Sequence, residues 1–132
     1  MDAARTEAIL KAQGWAVAPD GADCWRGTVR SEGASFPTRV RLGADRLEVI
    51  VGPLMAAPAG PPDAHRVAAL HARALAANAT VRMARFALET DGSVVLCVDY
   101  PRAHLDDSEV RDALDAASYY AGRWFAQLAE IA

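Results

Sequence analysis

The stretch Arg85-Phe86-Ala87-Leu88-Glu89-Thr90-Asp91-Gly92-Ser93-Val94-Val95-Leu96-Cys97-Val98-Asp99-Tyr100-Pro101 decides the fold. Two apolar runs flank Asp91-Gly92, a dipeptide whose tolerance of positive φ makes it the strongest short hairpin signal. A two-residue loop there pairs Leu88 with Val95 and Phe86 with Cys97 on one face, and Ala87 with Leu96 and Arg85 with Val98 on the other. Pro101, without an N–H, stops the second strand. Both faces of this hairpin read as apolar. One carries Phe86, Leu88, Val95 and Cys97; the other carries Met83, Val94, Leu96, Val98 and Tyr100, relieved only by Arg85 and Glu89. A sheet roofed by helices on one side needs a single apolar face, so the surplus face needs a cover, either helix from the same chain or a second subunit.

C-terminal to the hairpin, Asp106 is a helix N-cap, and Glu109 three residues on completes a capping box. Leu105 and Val110 take the positions of a hydrophobic staple, and Val110, Leu114, Ala117, Ala121, Phe125 and Leu128 form the buried stripe of a long helix. N-terminal to the hairpin, a helix starts near Asp63 and runs to about Asn78, with Val67, Leu70, His71, Ala74, Leu75 and Asn78 on one face. Before it lies Gly52 to Pro62, a Pro/Gly-rich connector read as a loop inside one domain.

The first half changes period from 3.6 to 2. A short helix begins at the cap Asp2 and ends before Gly14, with Ile9 and Leu10 buried and Glu7 paired with Lys11. Ala16 to Asp23 is too rich in turn formers to stay regular. Three strands follow, alternating Trp25, Gly27, Val29, then Phe36, Thr38, Val40, Leu42, then Leu47, Val49, Val51 with outward residues. Turn signals near Gly33 and at Gly43-Ala44-Asp45 make them an antiparallel meander. The fold class is therefore α+β: helix, three-stranded antiparallel meander, helix, β-hairpin and a long C-terminal helix, in one domain over residues 1–132.

Composition bounds the function. The 132 residues, 52% hydrophobic and 23% charged, belong to a globular domain that buries roughly 68% of its unfolded surface without staples. A net charge of −3 argues against a nucleic-acid partner, which calls for a basic footprint. No apolar run reaches the ~20 residues of a membrane span, and the polar, acidic start is unlike a signal peptide. Cys24 and Cys97 lack partners at motif spacing and read as reduced thiols of a cytoplasmic protein.

The residues with chemistry in them have structural explanations. His65 and His71, six apart, fall on different helix faces, whereas a zinc pair wants i,i+4 spacing, and no cluster completes a site. His71 ends a buried stripe, and His104 sits in a turn beside Asp106 and Asp107. Cys97 is a core thiol in mid-strand, and Ser118 lies on a helix without a nucleophile elbow. No catalytic, metal or cofactor residues are assigned. Arg26, Arg30, Arg39 and Arg41 point away from the apolar sheet face, as a solvated surface or a complement to an acidic segment.

The second half is similar to the YbjN-like and type III secretion chaperone-like families. An Ala/Leu-rich helix ends in Asn78, Arg85-Phe86-Ala87-Leu88 runs into Asp91-Gly92, and Val94-Val95-Leu96 leads to Tyr100-Pro101. The capped helix Leu105-Asp106-Asp107-Ser108-Glu109-Val110 then closes the chain. Tyr100, where an aliphatic residue is usual, and Asp106, where threonine often caps, depart from the pattern. The resemblance implies a non-catalytic, chaperone-like homodimer that shields apolar or disordered segments of a partner protein. On that reading Met83, Val94, Leu96, Val98 and Tyr100 form the dimer or partner interface, and Trp25, Val29 and Leu47, with strand edges, take up the client. A small enzyme or ligand-binding domain with a pocket between helix and sheet, or a regulatory interaction module, is the alternative. The enzyme would need buried polar side chains converging there, and the sequence offers none.

Overall fold

The computed structural model describes residues 1–55 and 63–131. Helix α1 (Ala3–Ala12) opens the chain, with Asp2 Oδ1 accepting the Arg5 N–H at 2.8 Å as its cap. Thr6, Ile9 and Leu10 are its buried side. Gly14, at φ +77°, turns the chain back so that the Trp15 N–H reaches the Leu10 carbonyl at 3.0 Å. Strands β1 (Ala16–Pro19), β2 (Cys24–Ser31), β3 (Ala34–Leu42) and β4 (Arg46–Met55) follow, then α2 (Ala64–Ala77), β5 (Arg85–Leu88), β6 (Val94–Pro101) and α3 (Asp107–Ala129).

The six strands form one antiparallel sheet in the order β1-β2-β3-β4-β6-β5, so the C-terminal hairpin joins the meander through β6 beside β4. Two boundaries differ from the sequence expectation. The meander gains a fourth strand, because Ala16–Pro19 pairs with β2 in a stretch whose composition reads as irregular. The close approach depends on Gly27, where a Cβ would lie 2.6 Å from the Val17 Cα. At the other end β4 runs on through Gly52 to Met55 after a register shift, so the connector begins later than Gly52. Its remaining residues, 56–62, lie outside the described residues.

All three helices cover one face of the sheet. Phe36, Thr38, Val40 and Leu42 of β3 and Leu47, Val49 and Val51 of β4 alternate into the core as their period predicts. Helix α3 lies across β2, β4 and β6, burying Val110, Ala113, Leu114, Ala117, Ala121, Gly122 and Leu128. Its capping box is formed: Asp106 Oδ1 accepts the Glu109 N–H at 2.8 Å, and Glu109 Oε2 accepts the Asp106 N–H at 3.3 Å. That backbone hydrogen bond, with help from Ser108, holds the Asp106 carboxyl below the usual aspartate range.

The hairpin register differs by one residue from the two-residue-loop expectation. Phe86 faces Leu96, Ala87 faces Val95 and Leu88 faces Val94. The loop is Thr90-Asp91-Gly92, closed by Glu89 N–H to the Ser93 carbonyl at 2.9 Å and Gly92 N–H to the Glu89 carbonyl at 3.0 Å. Asp91 Oδ1 also accepts the Ser93 N–H at 2.9 Å, and Gly92 takes φ +87°. A turn followed by a left-handed glycine is the three-residue hairpin connection. Because side chains alternate with period 2, the slip changes which residues share a face. Phe86 joins Val94, Leu96 and Val98 beneath the helices, while Val95 and Cys97 lie on the outer face.

Candidate functional site

The residues the sequence nominates for binding lie in the interior. Val94, Leu96 and Val98 are 0% exposed, and Trp25, Val29 and Leu47 are buried with them in the same core. In this structure α3 of the same chain, and not a second subunit or a client, lies over the strands β2, β4 and β6 that carry them. Tyr100 is half-buried at the rim, its hydroxyl 3.7 Å from Met83 Sδ. Burial, then Asp112 and Glu109, push its phenol pKa up. Met83 alone of the proposed interface is well exposed, at 51%.

Met83 has company. Among the described residues, the exposed large apolar side chains are Leu75 (68%), Met83, Leu88 (50%) and Tyr119 (54%). The first three lie on or near β5: Leu88 ends the strand, Met83 lies two residues before it, and Leu75 is on α2, the helix that packs on β5. His71, Leu75 and Asn78 form an i, i+4, i+7 stripe on α2. One end of that stripe is tied to the hairpin loop, His71 Nε2 lying 3.1 Å from the Gly92 carbonyl oxygen. The other end is tied to Phe86: Asn78 Oδ1 accepts its N–H at 2.6 Å and Asn78 Nδ2 donates to its carbonyl at 3.2 Å. Leu75 lies between these two anchors in the sequence of α2, and Met83 lies two residues before β5. Sequence periodicity counted Leu75 with the buried positions. The structure leaves it on the margin of that arc, because only Leu70, Ala74 and Ala77 of α2 are buried.

The outer sheet face carries the arginines the alternation predicts. Arg26, Arg39, Ile50, Cys97 and Arg85 stand side by side across five strands. Their charge is largely answered within the chain. Arg26 pairs with Asp20 at 2.5 Å, Arg39 with Glu89 at 2.6 Å, Arg85 with Asp99 at 2.6 Å and Arg46 with Glu48 at 2.9 Å. A shallow cavity of about 320 Å³ between β2, β3 and β4 is lined by both signs, with Arg26, Arg39 and Arg41 facing Asp20 and Glu48. At the centre Cys97 is buried, and burial pushes its thiol pKa up, which disfavours the thiolate a nucleophile needs.

Among the described residues no catalytic geometry assembles. His65 and His104 are exposed, and His71 is occupied by the hairpin loop. Ser118 opens onto a cavity of about 430 Å³ between α1, β2 and α3, where Asp115 and Arg30 are present but no histidine. Among the described residues no three His, Cys, Asp or Glu side chains gather as a metal site. No helix among them is long and apolar enough to cross a membrane.

Helices packed on an antiparallel six-stranded sheet define a small α+β sandwich. The chain belongs to the YbjN family, described as "Putative bacterial sensory transduction regulator", whose pattern matches residues 2–130. Among solved structures it is similar to a chain of the HopA1–SchA chaperone–effector complex, at 14% identity and a TM-score of 0.56, covering 96% of this chain and 91% of that one. It is also similar to a chain of the complex between the Yersinia pestis type III secretion chaperone SycH and a stable fragment of YscM2. There the identity is 9% and the TM-score 0.50, with 98% of each chain covered. No curated protein matches.

Proposed function

We propose that the protein is a non-catalytic, chaperone-like binding module that forms a homodimer and shields apolar or disordered segments of another protein. The observation that carries this reading is the exposure of Leu75, Leu88 and Met83, on β5 and the segments next to it, while the apolar residues of the core are buried. A monomer gains nothing by exposing such residues, whereas two copies that abut there remove them from water. The likeness of the fold to structures in which a chaperone is held with an effector supports the client-binding part. The unshared, separately explained histidines and the high-pKa thiol support the absence of catalysis.

Light scattering coupled to size exclusion tests the pairing: the wild type is expected at twice the chain mass, and Leu75→Glu/Leu88→Glu at the single mass with unchanged circular dichroism. A wild type that stays monomeric at high concentration, or a variant that stays dimeric, refutes it. For shielding, the wild type is expected to suppress the scattering of a chemically unfolded reporter protein, and no suppression counts against a chaperone role.

A further inference from the structure

Helices α2 and α3 enclose a second surface on the far side of α2 from Leu75. A cavity of about 480 Å³ there is lined by Arg73, Tyr119, Tyr120, Arg123, Trp124 and Gln127, among others. Trp124 stacks edge-on against Phe86 at 6.1 Å, which anchors it to the core. The Arg73 guanidinium lies over the Trp124 ring, 5.0 Å from its centroid, and Arg73 Nη2 donates to Gln127 Oε1 at 3.0 Å. Tyr119 and Tyr120 meet edge to face at 5.1 Å, and the Tyr120 hydroxyl accepts the Arg82 N–H at 3.0 Å. The rings and one guanidinium are thus positioned before any ligand arrives.

What marks this groove is arginine charge set among aromatic rings. The chain has 17 Asp and Glu residues, yet among the described residues no carboxylate lines the cavity. Arg5, Arg26, Arg39, Arg46 and Arg85 each hold a carboxylate; among the described residues Arg73 and Arg123 are two of the arginines that hold none, and these two stand beside aromatic rings in one groove. We infer that the groove between α2 and α3 is a docking site for an acidic peptide segment of another protein. Its carboxylates would meet Arg73 and Arg123, and its aromatic or proline side chains would lie against Tyr119 and Trp124. A guanidinium matches a carboxylate in planar, two-point fashion, and the ring faces accept apolar groups without needing a shape-specific pocket. Single-stranded nucleic acid is disfavoured, since two arginines on a chain of net charge −3 offer little against a phosphate backbone. This inference rests on the reading of the chain as a protein-binding module and names the chemistry of what it binds.

The test is selection from a random peptide display library on immobilised wild type and on Arg73→Glu/Arg123→Glu, whose altered side chains are exposed enough to leave the fold intact by circular dichroism. Peptides recovered on wild type should be rich in Asp and Glu with Tyr, Phe or Pro. In fluorescence anisotropy they should weaken about tenfold or more on the variant, the loss expected for a charged hydrogen-bonded contact, and weaken as salt rises. Arg73→Lys/Arg123→Lys, which keeps charge and loses planarity, should fall between. Recovered peptides that lack acidic residues, or bind the variant equally well, overturn the groove while leaving protein binding intact. Recovery of nothing on either protein overturns both. Displacement of the selected peptide by an equal concentration of oligothymidylate reassigns the site to nucleic acid. A wild-type dimer that the charge-reversed variant converts to monomer gives the groove to a second copy; either result overturns the proposal.

Discussion

Gly122 lies in the middle of α3, where glycine costs a helix about 1 kcal/mol relative to alanine. A Cβ there would overlap Ser31 Oγ and lie 2.9 Å from Ser31 Cβ and 3.2 Å from Glu32 Cγ. The helix therefore approaches the end of β2 only where it has no side chain. Gly122→Ala should destabilise the protein by about 1 kcal/mol or more despite its better helix propensity. Adding Ser31→Gly should recover most of the loss. Urea unfolding of the single and double variants measures both, and a Gly122→Ala protein more stable than wild type would show that the helix can shift freely. Nothing in the one-dimensional pattern marks Gly122, since its meaning depends on a residue ninety positions away being small. At Leu96 and Val98, by contrast, residue type alone announced burial. What it could not give was the identity of the cover, and with both at 0% exposure a charge placed there reports on folding and not on association.

Elements with strong local chemistry were legible in the sequence. The caps at Asp2 and Asp106, the helix start near Asp63, the left-handed turn at Gly14 and the alternation of β3 and β4 rest on contacts within a few residues, and each is present. Where two strands could be joined in two ways, local chemistry was not enough. Asp91-Gly92 favours a two-residue loop, but the Asp91–Ser93 hydrogen bond and the burial of Phe86 with Leu96 select the three-residue one. Asn78 shows the same limit. It reads as a helix end, yet its amide also holds both backbone groups of Phe86, as a neighbouring strand would, and so closes the edge of β5. Asn78→Ala should leave those groups without a protein partner, costing about 1 kcal/mol. It should also speed exchange of the Phe86 amide selectively. An unchanged Phe86 rate would mean that water or another group already serves it.

At the scale of the whole molecule, the candidate surfaces both depend on α2, a helix with a small buried side. α2 buries only Leu70, Ala74 and Ala77 and touches β5 and α3, whereas β4 is enclosed between β3 and β6 beneath α3. With about 25 cal/mol for each Å² of buried apolar surface, three small or medium side chains hold a helix much less firmly than a central strand with three fully buried positions. Native-state hydrogen exchange should therefore find α2 opening locally at a free energy below that of global unfolding, with β4 and β6 exchanging only when the whole chain unfolds. Pairing along Leu75 and Leu88 would add apolar contacts to α2 that exist only in the dimer. Protection of α2 should then rise with protein concentration while protection of β4 stays constant, since binding to the native state stabilises what it touches by mass action. An α2 as protected as β4 in dilute protein would remove the local-opening argument. A doubled mass with concentration-independent α2 exchange would place the contact between copies elsewhere on the molecule.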